Sequence, residues 1–120
     1  MGKVTLVLGA SLKEYRYSNL CIRTLVSAHI PVEAIGLREG NISNIKVHSF
    51  IPELEDIHTV TLYLGPENQK SYYDYILKLN PVRVIFNPGT ENIEFQEILK
   101  NAGIEVIEDC TIMMVEGGRF

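Results

Sequence analysis

The residues best placed to do chemistry in this chain are Gly9, Ala10 and Ser11, followed at short range by Arg16, Tyr17 and Ser18. Three residues with almost no side chain let a ligand reach the backbone. A helix that starts just after them offers free N–H groups and a partial positive charge. Arg16 adds a guanidinium able to bond phosphate oxygens in pairs. The chemistry implied is the binding of a phosphorylated ligand. The usual dinucleotide fingerprint is missing, because it needs three spaced glycines and this stretch has one.

Acid–base chemistry finds no comparable arrangement. His29, His48 and His58 fall at a helix end, a short strand and a strand start, with no acid or nucleophile at a useful spacing. Cys21 and Cys110 have no metal-ligand spacing and are too few for a disulfide framework, which fits a reducing, cytoplasmic setting. Cys110 follows Asp109 at a strand end on the presumed ligand side, so it reads either as a small buried hydrophobe or as a thiol facing the ligand.

The elements that must position these residues alternate between strands and helices. Val4 to Leu8 is an apolar run of the kind buried on both faces of a parallel sheet. Ser18 or Asn19 is expected to cap a helix whose apolar stripe is Ile22, Leu25, Val26 and His29, and Pro31 ends it. Val32 to Ile35 is a second strand, Lys46 to His48 a third and Thr59 to Leu64 a fourth. Between the second and third, Leu37 to Asn44 is too short and irregular for a crossover helix. Pro66 suits a helix start, with Tyr72, Tyr75, Ile76 and Leu79 as its buried stripe. The tyrosines here read as packing and rim rather than as a stacking platform.

Val82 to Phe86 forms a fifth strand that stops at Asn87, Pro88 and Gly89. Thr90 is placed to cap a helix with Phe95, Ile98, Leu99 and Ala102 on its inner stripe, and Gly103 suits its stop. Ile104 to Ile107 is the last strand, before an apolar tail, Ile112 to Val115. The fold class expected is α/β: a Rossmann-like, doubly wound, mainly parallel sheet of five to six strands flanked by helices. Ligands of such sheets lie at the carboxyl ends of the strands. Those ends carry Gly9 to Ser11, Gly36 to Arg38, Gly65 and Pro66, Asn87 to Gly89, and Asp109 and Cys110.

At 120 residues the chain is expected to be a single domain over 1–120, and 46% hydrophobic residues suit a packed core. A net charge of −4 speaks against nucleic acid as a partner. No apolar run approaches the roughly 18 residues that would argue for a membrane span.

Four blocks carry a resemblance: Gly9-Ala10-Ser11, Arg16-Tyr17-Ser18-Asn19, Asn87-Pro88-Gly89-Thr90 and Ile107-Glu108-Asp109-Cys110. In order and spacing the chain resembles the small stand-alone bacterial CoA-binding domain proteins, relatives of the CoA-binding domain of the succinyl-CoA synthetase α subunit. The resemblance implies that coenzyme A, free or acylated, is the ligand. Its phosphates would lie on Gly9, Ala10 and Ser11, with Arg16, Tyr17 and Ser18 closing over them and Arg38 near the ribose phosphate. Adenine would lie near the end of strand two. Pantetheine would run toward the later loops, among Gly65, Pro66, Asn87, Pro88, Gly89 and Cys110.

Two departures stand out. Gly36-Leu37 replaces the Asn-Pro pair common in the family, and Asn87-Pro88 replaces a glutamine-containing stretch. The phosphohistidine of the CoA ligases belongs to a second domain, so the resemblance implies binding without that catalysis. Two other classes compete: an NADP-binding or redox domain, with Arg38 on a 2′-phosphate, and an interaction module with a vestigial nucleotide site and Ile112 to Val115 as its contact surface. No protein partner is indicated.

Overall fold

The computed structural model describes residues 2–120. In chain order the elements are β1 (Thr5–Ala10), α1 (Tyr17–Ser27), β2 (Val32–Gly36), β3 (Gly40–Ile42), β4 (Ile45–His48) and β5 (Thr59–Leu62). They continue as α2 (Pro66–Gln69), a 3₁₀ turn (Lys70–Tyr72), α3 (Tyr73–Leu79), β6 (Arg83–Phe86), α4 (Ile93–Asn101), β7 (Glu105–Glu108) and α5 (Thr111–Glu116). The strands form one sheet in the order β3-β4-β2-β1-β5-β6-β7. Every pairing is parallel except β3 with β4.

The six parallel strands are the six expected from the sequence, and β3 is a seventh. It resolves the missing crossover after β2. Ser43 and Asn44, both at positive φ, turn the chain between β3 and β4, and β4 returns parallel to β2. A strand therefore does the work of a helix, because the eight residues from Leu37 to Asn44 suffice for an edge hairpin but not for a crossover helix.

Alternate residues of β1 face two cores. Leu6 and Leu8 join Ile35, Val60, Leu62, Val84, Phe86, Phe95 and Leu99 beneath α3 and α4. Val7 joins Ala34, Cys21, Ile22 and Leu25 beneath α1, with Ile112 of α5. Central strands apolar on both faces require helices on both faces, which is the doubly wound arrangement.

Several local expectations change. Arg16 is the residue before the first turn of α1 and gives no side-chain cap; Ser18 and Asn19 lie inside the helix and are buried. His29 is not on the inner stripe of α1 but beyond its end, at φ 60. Asn92, not Thr90, caps α4, accepting from the Phe95 N–H at 3.1 Å. The helix expected after Pro66 breaks into α2, the 3₁₀ turn and α3, and the apolar tail is α5. Among the described residues, no helix is long and apolar enough to cross a membrane.

Candidate ligand cleft at the strand ends

From β1 the chain leaves in two directions, through α1 to β2 on one side and later through β5 and α3 on the other. Connections that diverge to opposite faces open a crevice at the carboxyl ends of the strands. A cleft of about 660 Å³ occupies that crevice. Gly9 to Lys13 line it from the end of β1, and Arg16, Tyr17 and Ser18 from the first turn of α1. Ile35 to Arg38 enclose it at the end of β2; Tyr63, Leu64 and Gly65, with Asn68 and Tyr72, form the wall beyond β5.

Gly9 explains how two strands come so close. Its φ is +98, and a Cβ there would stand 2.8 Å from the Tyr63 carbonyl oxygen and 2.9 Å from a Leu64 methyl. Between Leu8 and Ala10 the register with β2 shifts by one residue, so Gly9 is a bulge. The missing side chain thus admits the neighbouring backbone.

Ser18 and Asn19 hold the loop after it. The Ser18 hydroxyl accepts from the Ser11 N–H at 3.1 Å, and the Asn19 amide donates to the Ser11 carbonyl at 2.9 Å. Arg23 ties the outer loop by donating to Asn19 and to the Glu14 carbonyl. Two small polar side chains inside a helix therefore fix a loop in sequence before it. The first N–H groups of α1 are left without intrahelical acceptors and border the cleft.

The cleft is positive. Lys13, Arg16 and Arg38 line it, all exposed, and none of the lining residues is acidic, in a chain of net charge −4. Behind Tyr63 lies the fully buried Cys21. Burial pushes the Cys21 thiol up to about 12, with partial relief from the Tyr63 hydroxyl. Burial first, then the charge of a Cys21 thiolate, likewise raises Tyr63 above the usual phenol range.

Of the residues expected at the ligand, Gly9, Ala10, Ser11, Arg16, Tyr17, Ser18, Arg38 and Gly65 line one cleft. Pro66, Asn87, Pro88, Gly89 and Cys110 do not. Asn87 is buried and occupied: it donates to Thr61 Oγ1 and the Leu62 carbonyl and accepts from the Thr111 N–H. Pro88 and Gly89 are exposed on the turn above it. Cys110 precedes α5 and donates its N–H to Asp109, whose carboxyl the Arg119 guanidinium, at 2.9 Å, holds below the usual range.

Sequence reasoning missed Lys13, Tyr63 and Asn68. Lys13 carried a signal, being a cation two residues past Ser11. Tyr63 and Asn68 carried none, since only the fold brings the β5 wall opposite Gly9. Tyr72 is half-buried on the rim.

Comparison with known proteins places this geometry in context. The CoA binding domain family matches residues 3–116. A crystal structure of an uncharacterized protein is similar with 43% identity and a TM-score of 0.96, covering 100% of this chain and 99% of the other. The cell-free ID.343 protein of Thermus thermophilus shares the fold at 22% identity and TM-score 0.84, over 99% and 91% of the two chains. So does part of an acetyl-coenzyme A synthetase from Ca. Korarchaeum cryptofilum, in complex with phosphate and ADP, at 16% identity and TM-score 0.70, over 89% of this chain and 25% of that one. No curated protein matches.

Proposed function

The chain belongs to the CoA-binding domain family, and from that premise we propose that it binds coenzyme A, free or acylated, in the cleft described above and catalyses no reaction on it. What carries this is the charge of the cleft: Lys13, Arg16 and Arg38 with no carboxylate among them, in a net-negative chain. Coenzyme A brings a pyrophosphate and a 3′-phosphate, a ligand whose negative charge needs several cations and whose length needs a cleft across several strand ends.

In this reading the pyrophosphate lies over Gly9, Ala10 and Ser11 at the start of α1, with Arg16, Tyr17 and Ser18 beside it. The adenosine lies toward Ile35 and Arg38. The pantetheine arm passes Gly65 toward Asn68 and Tyr72, where the cleft ends. Pro66, Asn87, Pro88, Gly89 and Cys110 are outside the contact set. The lining includes no histidine, cysteine or carboxylate, which supports binding without thiol, imidazole or carboxylate chemistry. A compartment that supplies coenzyme A and keeps Cys21 and Cys110 reduced is the cytoplasm.

Thermal unfolding with CoA, acetyl-CoA, NAD and NADP tests it. At 100 times its dissociation constant CoA should stabilise the fold by about 2.7 kcal/mol, well beyond NAD. Arg38 at the end of β2 also suits a 2′-phosphate, so NADP is the competing ligand. A melting shift with NADP and none with CoA would transfer the cleft to that ligand.

A further inference from the structure

The β5 wall of the cleft is held from behind by a side chain that lines no part of it. We propose that Gln69 is the positioning residue of the ligand cleft, fixing the Tyr63–Gly65 wall against the Gly9 turn at the separation the ligand occupies. The identity of the ligand rests on the coenzyme A reading above; the mechanics do not.

Gln69 is wholly buried, at the end of the four-residue α2. Its amide donates to the Leu64 carbonyl at 2.9 Å and to the Thr90 carbonyl at 2.8 Å. Its oxygen accepts from Asn92 at 2.9 Å. Asn92 is itself anchored, capping α4 at the Phe95 N–H and donating to the Tyr73 hydroxyl. The Gln69 amide therefore has one orientation, with both hydrogens toward loop carbonyls and its oxygen toward a donor.

A single-turn helix such as α2 has little stability of its own. The loop leading into it must be held by tertiary bonds. Gln69 supplies them at Leu64, the residue whose methyl packs on Gly9. A ligand that fills the cleft lies between the Gly9–Ser11 turn and the Tyr63–Gly65 wall. The rigid body behind that wall is α4, reached through Gln69 and Asn92. Loss of the amide frees the wall to move away from Gly9, and the binding-competent width becomes one state among several.

Gln69→Met keeps length and apolar bulk and removes the three bonds. Gln69→Glu keeps the shape but turns an oxygen toward two carbonyls. Amide hydrogen exchange without ligand should accelerate at least about tenfold at Tyr63, whose N–H donates to the Leu8 carbonyl at 2.8 Å, and at residues 9–11, the factor a lost buried hydrogen bond gives in a local opening equilibrium, with β2 unchanged. CoA affinity, measured calorimetrically far below the melting temperature, should fall by a similar factor. Should both variants fail to fold, Asn92→Asp keeps the α4 cap while removing the donor to Gln69, and should give the same pattern at about threefold.

Wild-type exchange at Tyr63 and at residues 9–11 in a folded variant overturns the proposal. So does a lowered melting temperature with unchanged CoA affinity, which is what a merely structural glutamine would give. Accelerated exchange in the variants, with no CoA binding by the wild type, would instead support the positioning role and overturn the coenzyme A reading.

Discussion

The strand ends of this sheet behave differently on its two sides. Beyond β1, β2 and β5 they are open, lined by backbone and cations. Beyond β6 and β7 they are closed by side-chain amides and hydroxyls. Asn87, Asn92, Gln96 and Thr111 fill that side, and Gln96 continues the chain of bonds to Glu108. Glycine alone does not distinguish them. Gly9 and Gly89 have nearly the same φ, +98 and +92, but a Cβ at Gly9 would strike Tyr63 and Leu64 whereas one at Gly89 would meet open space. An open strand end thus depends on what the neighbouring strand's loop sends across it.

The largest break in this contrast should come from the two glycines. Gly9→Val combines left-handed strain with collision against backbone and should cost roughly 2–5 kcal/mol. Gly89→Ala should cost only the strain, about 1–2 kcal/mol. Equal losses in chemical denaturation would mean that Gly9 is no more crowded than an exposed turn.

Asn87→Ala comes next. It leaves a buried N–H and a buried carbonyl without their partner, for about 2–3 kcal/mol of stability. CoA affinity of the folded protein should stay within about threefold of wild type, since the closed side is structural. A tenfold loss of affinity at full stability would put Asn87 on the ligand.

Arg16→Ala and Arg38→Ala should do the opposite. Both side chains are exposed, so unfolding should be nearly unchanged, while CoA binding weakens by about 1.5–3 kcal/mol for each lost charge-assisted contact. Raising salt should narrow the difference from wild type. Undiminished binding in the double variant would remove the cations from the site.

An effect that vanishes near neutral pH tests how well burial shields the floor of the open side. The Cys21 thiol is raised to about 12 by burial, so the folded state holds its proton where the unfolded chain, at an ordinary value near 9.0, releases it. Stability should therefore be unaffected below pH 8 and decline as pH rises through 9 toward 12, by up to about 1.4 kcal/mol per pH unit for this one group. Cys21→Ala should flatten that decline. A decline of the same slope in both proteins would show that water reaches the thiol.

The sequence by itself determined the six parallel strands, the main helices between them, the glycine turn after the first and the family to which the chain belongs. Those features are written locally, in apolar runs, helical stripes and residues without side chains, and they need no knowledge of distant neighbours. It also placed Arg16 and Arg38 near strand ends. What only the tertiary structure decided was which ends face a common space. The hairpin of β3 and β4 arose because a polar stretch too short for a helix found an edge to pair with. The Asn87 block, so similar to a ligand loop in sequence, closed because Thr61, Leu62 and Thr111, some 24–26 residues away, took up its amide. Gln69 fell in the first turn of the helix expected after Pro66 and drew no notice in the sequence; folding set Leu64, Thr90 and Asn92 around it. Hydrogen-bond partners of buried amides lie across the chain, and no local pattern encodes them.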